Sequence, residues 1–257
     1  MSDITIWMWT GFLLAAYSVI ANDSIQTLGT WIASNRKVNW KIMWGFAGSV
    51  LLFAIWYGWY AYDGSISYGR LNKIPFEGVE WYQALAPAVL LLLTRFGIPV
   101  STSFLVLSAF ASTVVLEKVL MKSMMGYCVA GVAAYVIWIA LTRLLDEGKP
   151  IKESNKMKWR VAQWVTTAFL WWTWLSHDMA NIAVFLPRQL SVDVMIIISV
   201  VFVAGLGWML QHRGGKIQQI VLEKKNTKYV RSATLIDLFY FIVLYIFKEM
   251  NDIPMST

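Results

Sequence analysis

Long apolar runs separated by short polar segments dominate the chain. Four runs reach or approach the roughly 20 residues that a helix needs to cross the hydrocarbon core of a bilayer. They are Ile4–Ala21, Ile42–Tyr62, Tyr127–Leu145 and Val192–Leu210. Four such runs in a chain of 257 residues favour an integral membrane protein over a soluble protein with buried core helices.

The pattern predicts seven membrane-embedded stretches, named here A to D and A′ to C′. Stretch A is too long for one straight span and is interrupted by the polar pair Asn22 and Asp23. Stretch C is expected to break near Gly97 and Pro99, because proline lacks a backbone N–H and glycine is conformationally free. The stretches are A (Ile4–Ser34), B (Val38–Tyr62), C (Glu80–Leu120), D (Met125–Leu145), A′ (Trp159–Leu190), B′ (Val192–Leu210) and C′ (Ala233 to Thr257).

Two short motifs recur at one constant separation. Asp23 in Ala-Asn-Asp-Ser and Asp178 in Ser-His-Asp-Met lie 155 residues apart. The segment Ile98–Thr102 reads Ile-Pro-Val-Ser-Thr, and Ile253–Thr257 reads Ile-Pro-Met-Ser-Thr at the same separation of 155. Two motifs that share an ungapped offset indicate an internal repeat.

Charge then indicates how the two copies are oriented. Charged residues make up only 14% of the chain, against about 25% in soluble domains. The A–B loop has three Lys or Arg residues and its A′–B′ counterpart has one, whereas the B–C loop has two and its counterpart has six. Because Lys and Arg accumulate in cytoplasmic loops, this reversal predicts opposite orientations of the copies. The net charge of +7 therefore reflects membrane orientation, and no nucleic-acid partner is expected.

The predicted fold class is an all-α integral membrane protein with two inverted-topology repeats, broken helices and re-entrant hairpins. Residues 1–145 form the first repeat, 146–158 a cytoplasmic loop and 159–257 the second, inverted repeat. The N-terminus lies outside, stretch C enters and leaves on the outer face, and the protein is expected in the plasma (inner) membrane. Inverted repeats with broken helices are typical of secondary transporters.

The aspartate motifs are the first candidate site. An ionisable group at membrane depth is costly and usually functional. Asp23 and Asp178, with the amides Asn22 and Asn181, are predicted to bind a cation, which is either Na⁺ held at the two aspartates or a proton. The alternative is that the aspartates are helix caps at interfacial depth.

The two proline-containing motifs, termed the hairpin tips, are the second candidate site. Hydroxyl side chains beside free N–H groups at the start of a helix suit an oxyanion such as phosphate or sulfate. An ordinary helix cap after a proline is the alternative at either tip. The candidate residues are Ser101, Thr102, Ser103, Ser256 and Thr257.

Other polar residues are weaker candidates. Gln26, Thr27 and Thr30 follow Asp23 and could line the same cavity, and His177 is expected to hydrogen-bond Asp178 rather than bind a metal. Arg95 either pairs with an anion or an aspartate, or extends toward the membrane surface. Asp237 and Glu249 flank stretch C′ and are expected at the membrane interface.

Cys128 is the single cysteine, and the sequence contains no nucleotide-binding loop, catalytic triad or metal cluster. Neither an enzyme nor a cofactor other than Na⁺ or H⁺ is therefore expected.

The two motifs together resemble those of the inorganic phosphate transporter (PiT) family, the sodium- or proton-coupled phosphate permeases. The segments 21–30 and 177–183 are similar to its paired signature, an Asn-Asp pair followed by Ala-Asn and a small residue. The segments 97–103 and 252–257 resemble its Pro-x-Ser-Thr hairpin tip. The likeness covers both motif regions and the inverted-repeat plan, and so effectively the whole chain.

The resemblance implies cation-coupled uptake of inorganic phosphate through a bilayer. The aspartate motifs would then contribute to cation binding and the tips to phosphate binding. The chain departs from the family pattern at four residues: Gln26 stands in place of Asn, Ser103 in place of Thr, His177 in place of Asn and Val184 in place of Gly. A sulfate permease and a non-transporting membrane sensor or accessory subunit are the alternatives, and a homodimer is left open.

The second copy stops earlier than the first. In the first copy the tip is followed by another hairpin arm and stretch D, whereas the second copy ends on its tip at Thr257. We therefore expect about 43 further residues in the native protein, or a second subunit that covers this end.

Overall fold

The computed structural model describes residues 5–72, 74–95, 102–110, 153–213 and 230–246, and isolated positions between 117 and 139. Helices and turns make up these residues, with no strand among them, so the all-α part of the prediction is confirmed. The described helices are α1 (Ile6–Ser18), a π-helical segment (Val19–Asp23), α2 (Ser24–Ser34), α3 (Trp40–Ala61), α4 (Trp81–Arg95), α5 (Thr102–Ser108), α6 (Glu153–Asp178), α7 (Ala180–Ala183), α8 (Val192–Gln211) and α9 (Val230–Leu244).

Stretch A differs from the prediction of a broken helix. The backbone stays helical through Asn22 and Asp23, because the irregularity is absorbed as one π-helical segment between α1 and α2. Such a segment adds one residue to a helical turn and is often found at functional sites. In stretch A′, α6 ends at Asp178 and α7 begins at Ala180, so the second aspartate also ends a helix.

Two helices of the described chain, α3 and α8, are long and apolar enough to cross a membrane. Only 39% of the apolar window of α3 and 33% of that of α8 is buried inside the protein. Large apolar side chains on both helices are therefore exposed, including Phe53 on α3 and Ile196 and Val200 on α8. Shorter apolar helices lie at Ile6–Ala21 and Trp81–Leu93.

The helices of the predicted stretches pack against one another in defined pairs. Helix α1 packs against α4, and α6 packs against α9, so stretch A contacts the first described helix of stretch C, and stretch A′ contacts the described helix of stretch C′. Helices α3 and α8 pack against each other, and α3 also packs against α6. The short helix α7 contacts α1, α5 and α6, which brings the second aspartate motif to the first hairpin tip.

Tryptophan side chains connect the helices by hydrogen bonds as well as by packing. The indole N–H of Trp171 donates to the carbonyl of Ala47 at 3.1 Å, and that of Trp44 donates to the carbonyl of Val203 at 2.8 Å. Trp171 also stacks on Trp174, with ring centroids 5.3 Å apart. An indole buries a large apolar surface and still satisfies its single donor.

The loops contact one another in two groups at the two ends of the helices. At one end, the N–H of Leu190 donates to the carbonyl of Gly64, and Arg188 donates to the carbonyl of Ile74 and lies over the ring of Phe76. Burial lowers the pKa of Arg188 from its ordinary value.

At the other end, Arg160 donates to the side-chain oxygen of Asn35, and Arg213 donates to the carbonyl of Val38. The A–B loop therefore lies beside the start of α6 and the end of α8.

Candidate functional site

The first aspartate lies inside the protein and contacts the first hairpin tip. Asp23 ends the π-helical segment with 5% of its surface exposed. Its Oδ2 accepts a hydrogen bond of 2.9 Å from the hydroxyl of Thr102, which begins α5 and is 6% exposed. The two residues are 79 positions apart, so this contact depends on the tertiary fold.

The second aspartate motif contacts the same tip through its neighbouring amide. Asn181 on α7 is 1% exposed, and its Nδ2 donates to the hydroxyl oxygen of Ser103 at 3.0 Å. Thr102 and Ser103 are adjacent, so the start of α5 joins the aspartate motif of stretch A to that of stretch A′. The Ser103 hydroxyl accepts from the amide, so its own proton can be donated to an anion.

Asp178 is paired within its own motif. Its Oδ1 lies 2.8 Å from Nδ1 of His177, and both side chains are buried with 6% exposure. This is the hydrogen-bonded relation that we expected for His177. The neighbour of Asp23 in the chain, by contrast, is the amide Asn22, so the two aspartates have chemically different surroundings.

Local hydrogen bonds explain the irregular backbone at Asp23. The carbonyl of Val19 accepts both the N–H and the hydroxyl of Ser24, five residues further on, the hydroxyl at 3.0 Å. The hydroxyl of Thr27 donates to the carbonyl of Asp23 at 3.1 Å. These hydroxyl groups compete with backbone N–H groups for the helical carbonyls near Asp23. As a result, the carboxylate lies at the junction of two helical segments.

Two further buried hydroxyls were missed by the sequence analysis. Ser18 is 0% exposed and Thr173 is 2% exposed, and neither side-chain oxygen has a hydrogen-bond partner in the described part of the protein. Each lies five residues before an aspartate, and the two are 155 positions apart. The repeat offset relates the two residues, but only their burial distinguishes them from other hydroxyl residues of the helices. Because unpartnered buried hydroxyls are rare and costly, they are candidate ligands near the carboxylates.

Asp237 was also missed as a buried group. We expected it at the membrane interface, but its side chain is 1% exposed among three helices. Its carboxylate accepts from the hydroxyls of Thr30 on α2 and Thr167 on α6, the latter at 2.7 Å. Of these three residues, only Thr30 lies in one of the motifs recognised in the sequence. No spacing between the three residues therefore identified the cluster.

Several candidates lie outside the described residues. Ser101, Ser256, Thr257 and Glu249 are in this group, as are the side chains of Asn22, Gln26 and Arg95. Within the ranges that the structure describes, no group of three or more His, Cys, Asp or Glu residues could hold a metal ion.

Comparison with known proteins assigns this chain to no family. No protein-family model matches the chain, and no curated protein or solved structure matched it either.

Proposed function

We propose that this chain is a secondary active transporter that moves inorganic phosphate across a membrane together with Na⁺ or H⁺. The observation that carries the proposal is that one helix start contacts both aspartate motifs. Thr102 bonds to Asp23, and Ser103 bonds to Asn181, over separations of 79 and 78 residues. Hydroxyl groups for an anion and carboxylates for a cation therefore lie in one buried region.

Side-chain exposure supports a membrane as the surroundings of this fold. Only 33% of the apolar window of α8 is buried, several of its large apolar side chains are exposed, and a bilayer is the solvent in which such exposure is favourable. Exposed aromatic side chains gather where α3 ends and α4 begins, as they do at membrane–water interfaces. They are Tyr57, Tyr60, Tyr62, Trp81 and Tyr82.

The loop contacts support the proposed inverted topology. The loops assigned to the outside, B–C and A′–B′, contact each other through Gly64 and Leu190. The segments assigned to the inside also contact each other, through Asn35 with Arg160 and Val38 with Arg213. Each contact joins segments that the charge pattern assigned to the same side.

The hydrogen bond between Thr102 and Asp23 suggests how an anion and a cation are coupled. While the carboxylate is bare, the hydroxyl donates to it and is not available to phosphate. A cation that binds the carboxylate competes for this oxygen, so the hydroxyl can turn and donate to phosphate. Two buried carboxylates would also repel an anion strongly at low dielectric constant. Phosphate therefore requires cations at Asp23 and Asp178 in order to bind.

Uptake of labelled phosphate by proteoliposomes containing the purified chain tests this function. We expect uptake that depends on an inward Na⁺ gradient or an inward proton gradient and that is lost in Asp23→Asn. Asp193→Asn, which changes an exposed aspartate at the start of α8, is the matched control and should transport like the parent.

Three other outcomes would each count against one part of the proposal: the substrate, transport itself or the coupling to a cation. Uptake of sulfate in preference to phosphate would make the chain a sulfate permease. Binding of phosphate without uptake under either gradient would favour a sensor or accessory subunit. Equal uptake with and without both gradients would contradict cation coupling.

A further inference from the structure

A third buried carboxylate, Asp237, lies apart from the aspartate motifs and the hairpin tips. It sits midway along α9, and its two oxygens accept hydrogen bonds from two other helices. Oδ1 accepts from the hydroxyl of Thr30 on α2, and Oδ2 accepts from the hydroxyl of Thr167 on α6 at 2.7 Å. All three side chains are buried, with Thr167 at 0% exposure. One carboxylate thus connects three helices.

We propose that Asp237 is a proton-binding site whose protonation controls the connection of α2 to α6 and α9. An ionisable side chain inside a membrane-embedded helix is usually functional, because it is expensive to bury. The set formed by Asp237, Thr30 and Thr167 is named here the α9 clasp. In its ionised form the carboxylate is held by both hydroxyls, and a proton taken from water converts it to a neutral acid.

The donor set of the clasp fits a proton better than a metal cation. A hard cation such as Mg²⁺ or Ca²⁺ takes about six or more oxygen ligands. Among the described side-chain contacts, the clasp offers one carboxylate and two hydroxyls, and both hydroxyls direct their protons at the carboxylate. A metal ion would need those protons to turn away, whereas a proton needs a single carboxylate oxygen.

Both protonation states of the clasp can satisfy their hydrogen bonds. When Asp237 is neutral, its new O–H donates to one threonine oxygen, and that threonine turns its own proton to the carbonyl four residues earlier. Threonine in a helix makes this bond readily. Thr27, one turn before Thr30 on α2, already makes it to the carbonyl of Asp23. The site therefore loses no buried hydrogen bond when it gains or releases a proton.

On the three helices that form the clasp, the charged and titratable groups are few. Helix α2 carries none between Ser24 and Ser34, and α9 carries Arg231 and Tyr240, with Tyr245 directly after its end. Helix α6 carries Arg160 about 10 Å before Thr167, counted along the helix. The guanidinium of Arg160 donates to Asn35. The other charged or titratable residues of α6 lie further from Thr167 along the helix: Glu153, Lys156, Lys158, His177 and Asp178.

Helix α2 links the clasp to the phosphate and cation site. Asp23, Thr27 and Thr30 are spaced as i, i+4 and i+7, so they share one face of this stretch, and all are at most 5% exposed. Asp23 and Thr30 are separated by about 10 Å along the helix. If the proposed function holds, protonation of Asp237 replaces charge-assisted hydrogen bonds by weaker neutral ones and so loosens the far end of α2, and the proton accompanies phosphate through the transport cycle.

Infrared difference spectroscopy of the purified chain tests the proton site without any transport measurement. As the pH is lowered, the carbonyl stretch of a buried protonated carboxyl group should appear in the parent. Because Asp23 and Asp178 are also buried carboxyl groups, the Asp237 component is the part of this band that Asp237→Asn removes and that Asp193→Asn, which changes an exposed carboxyl group, retains. Absence of the band from the parent, or a band of undiminished intensity in Asp237→Asn, would overturn the proposal.

A second variant keeps the test decisive even if Asp237→Asn does not fold. Thr167→Val removes one donor to the ionised carboxylate and keeps the side-chain shape. We expect the band to appear at a pH that is higher by about one unit or more, because a hydrogen bond to a charged group is lost. An unchanged pH would show that the hydroxyl does not stabilise the ionised form, and the clasp would be rejected.

Transport assays distinguish failure of this inference from failure of the proposed function. In proteoliposomes with an entrapped pH indicator, the parent should acidify the lumen when phosphate is added outside. Asp237→Asn should lose this signal but still exchange labelled for unlabelled phosphate. A parent that moves no phosphate would refute the proposed function only, whereas acidification by Asp237→Asn equal to the parent would refute the proton site only.

Discussion

Asp23 and Asp178 occupy equivalent positions in the sequence, but their side chains have different partners. Asp23 accepts from a hydroxyl of the hairpin tip, whereas Asp178 contacts the imidazole of the preceding His177. A carboxylate bonded to a rotatable hydroxyl can exchange that donor for a cation at little cost. A carboxylate held by an adjacent ring is more restrained. We therefore expect Asp23 and Thr102 to govern how the anion and the cation influence each other.

The Thr102 hydroxyl provides a direct test of this difference. Thr102→Val should raise the phosphate concentration for half-maximal uptake by roughly tenfold or more, because a hydrogen bond to a charged group is typically worth more than 1.4 kcal/mol. Thr102→Ser keeps the hydroxyl and should remain close to the parent.

Thr10→Val is the matched control, because the Thr10 hydroxyl donates only to the local carbonyl of Ile6 among the described contacts. Labelled-phosphate uptake over a range of concentrations measures all three variants. If Thr102→Val matched Thr10→Val, the tip hydroxyl would have no part in binding.

The backbone accommodates the two aspartates through local changes in the helical turn, and not through extended breaks in the helices. The π-helical segment at 19–23 and the one-residue interval between α6 and α7 keep the chain helical on both sides of each carboxylate. Helix α1 can also approach α7 closely because Gly11 faces Phe185. A Cβ atom at Gly11 would lie 2.2 Å from the Phe185 ring, which is too short for any real contact.

Gly11→Ala should therefore destabilise the protein. Inserting a carbon into a well-packed contact costs about 1–3 kcal/mol, and the helix propensity of alanine returns less than about 1 kcal/mol. Gly45→Ala on α3 is the control, since a Cβ there meets nothing within 4 Å and should be neutral or slightly stabilising. Thermal unfolding in detergent measures both variants. Equal melting temperatures for Gly11→Ala and the parent would show that α1 and the segment after α7 are less tightly packed than described.

The whole molecule has two ends, and their loop contacts match the sides assigned from charge. One group joins the loop after α3 to the segment before α8, which the charge pattern predicts to lie outside, and the other joins the loop after α2 to the start of α6, which it predicts to lie inside. Both groups depend on contacts between the two sequence halves. The inverted arrangement therefore predicts opposite accessibility for these two groups in a sealed membrane.

Single-cysteine labelling tests the orientation. In a Cys128→Ser background, Glu77→Cys and Gln189→Cys, both at exposed positions, should react with a membrane-impermeant reagent added to intact cells. Asn155→Cys, at an exposed position near the start of α6, should react only after permeabilisation. Labelling of Glu77→Cys and Asn155→Cys from the same side would contradict the inverted topology.

Several features of this protein were predictable from sequence because they depend on local or periodic information. Spans B and B′ were predicted at Val38–Tyr62 and Val192–Leu210, and the structure has helices at Trp40–Ala61 and Val192–Gln211. Apolar runs determine such helices, since a helix satisfies its own backbone hydrogen bonds. Asp23 and Asp178 were selected because they are charged residues within apolar stretches, and both are buried; the repeat inferred from the constant offset stays a prediction.

Other features were decided only by the tertiary structure. The clasp of Asp237 joins residues that are 207 and 70 positions apart in three helices, and no residue of the three has a repeat-related partner of the same type. Ser18 and Thr173 look like ordinary helical residues until their burial is known. A π-helical turn is present where a break in the helix was expected, because the hydroxyl of Ser24 donates to the carbonyl of Val19. Sequence patterns report which groups are costly to bury, but only packing shows which partners offset that cost.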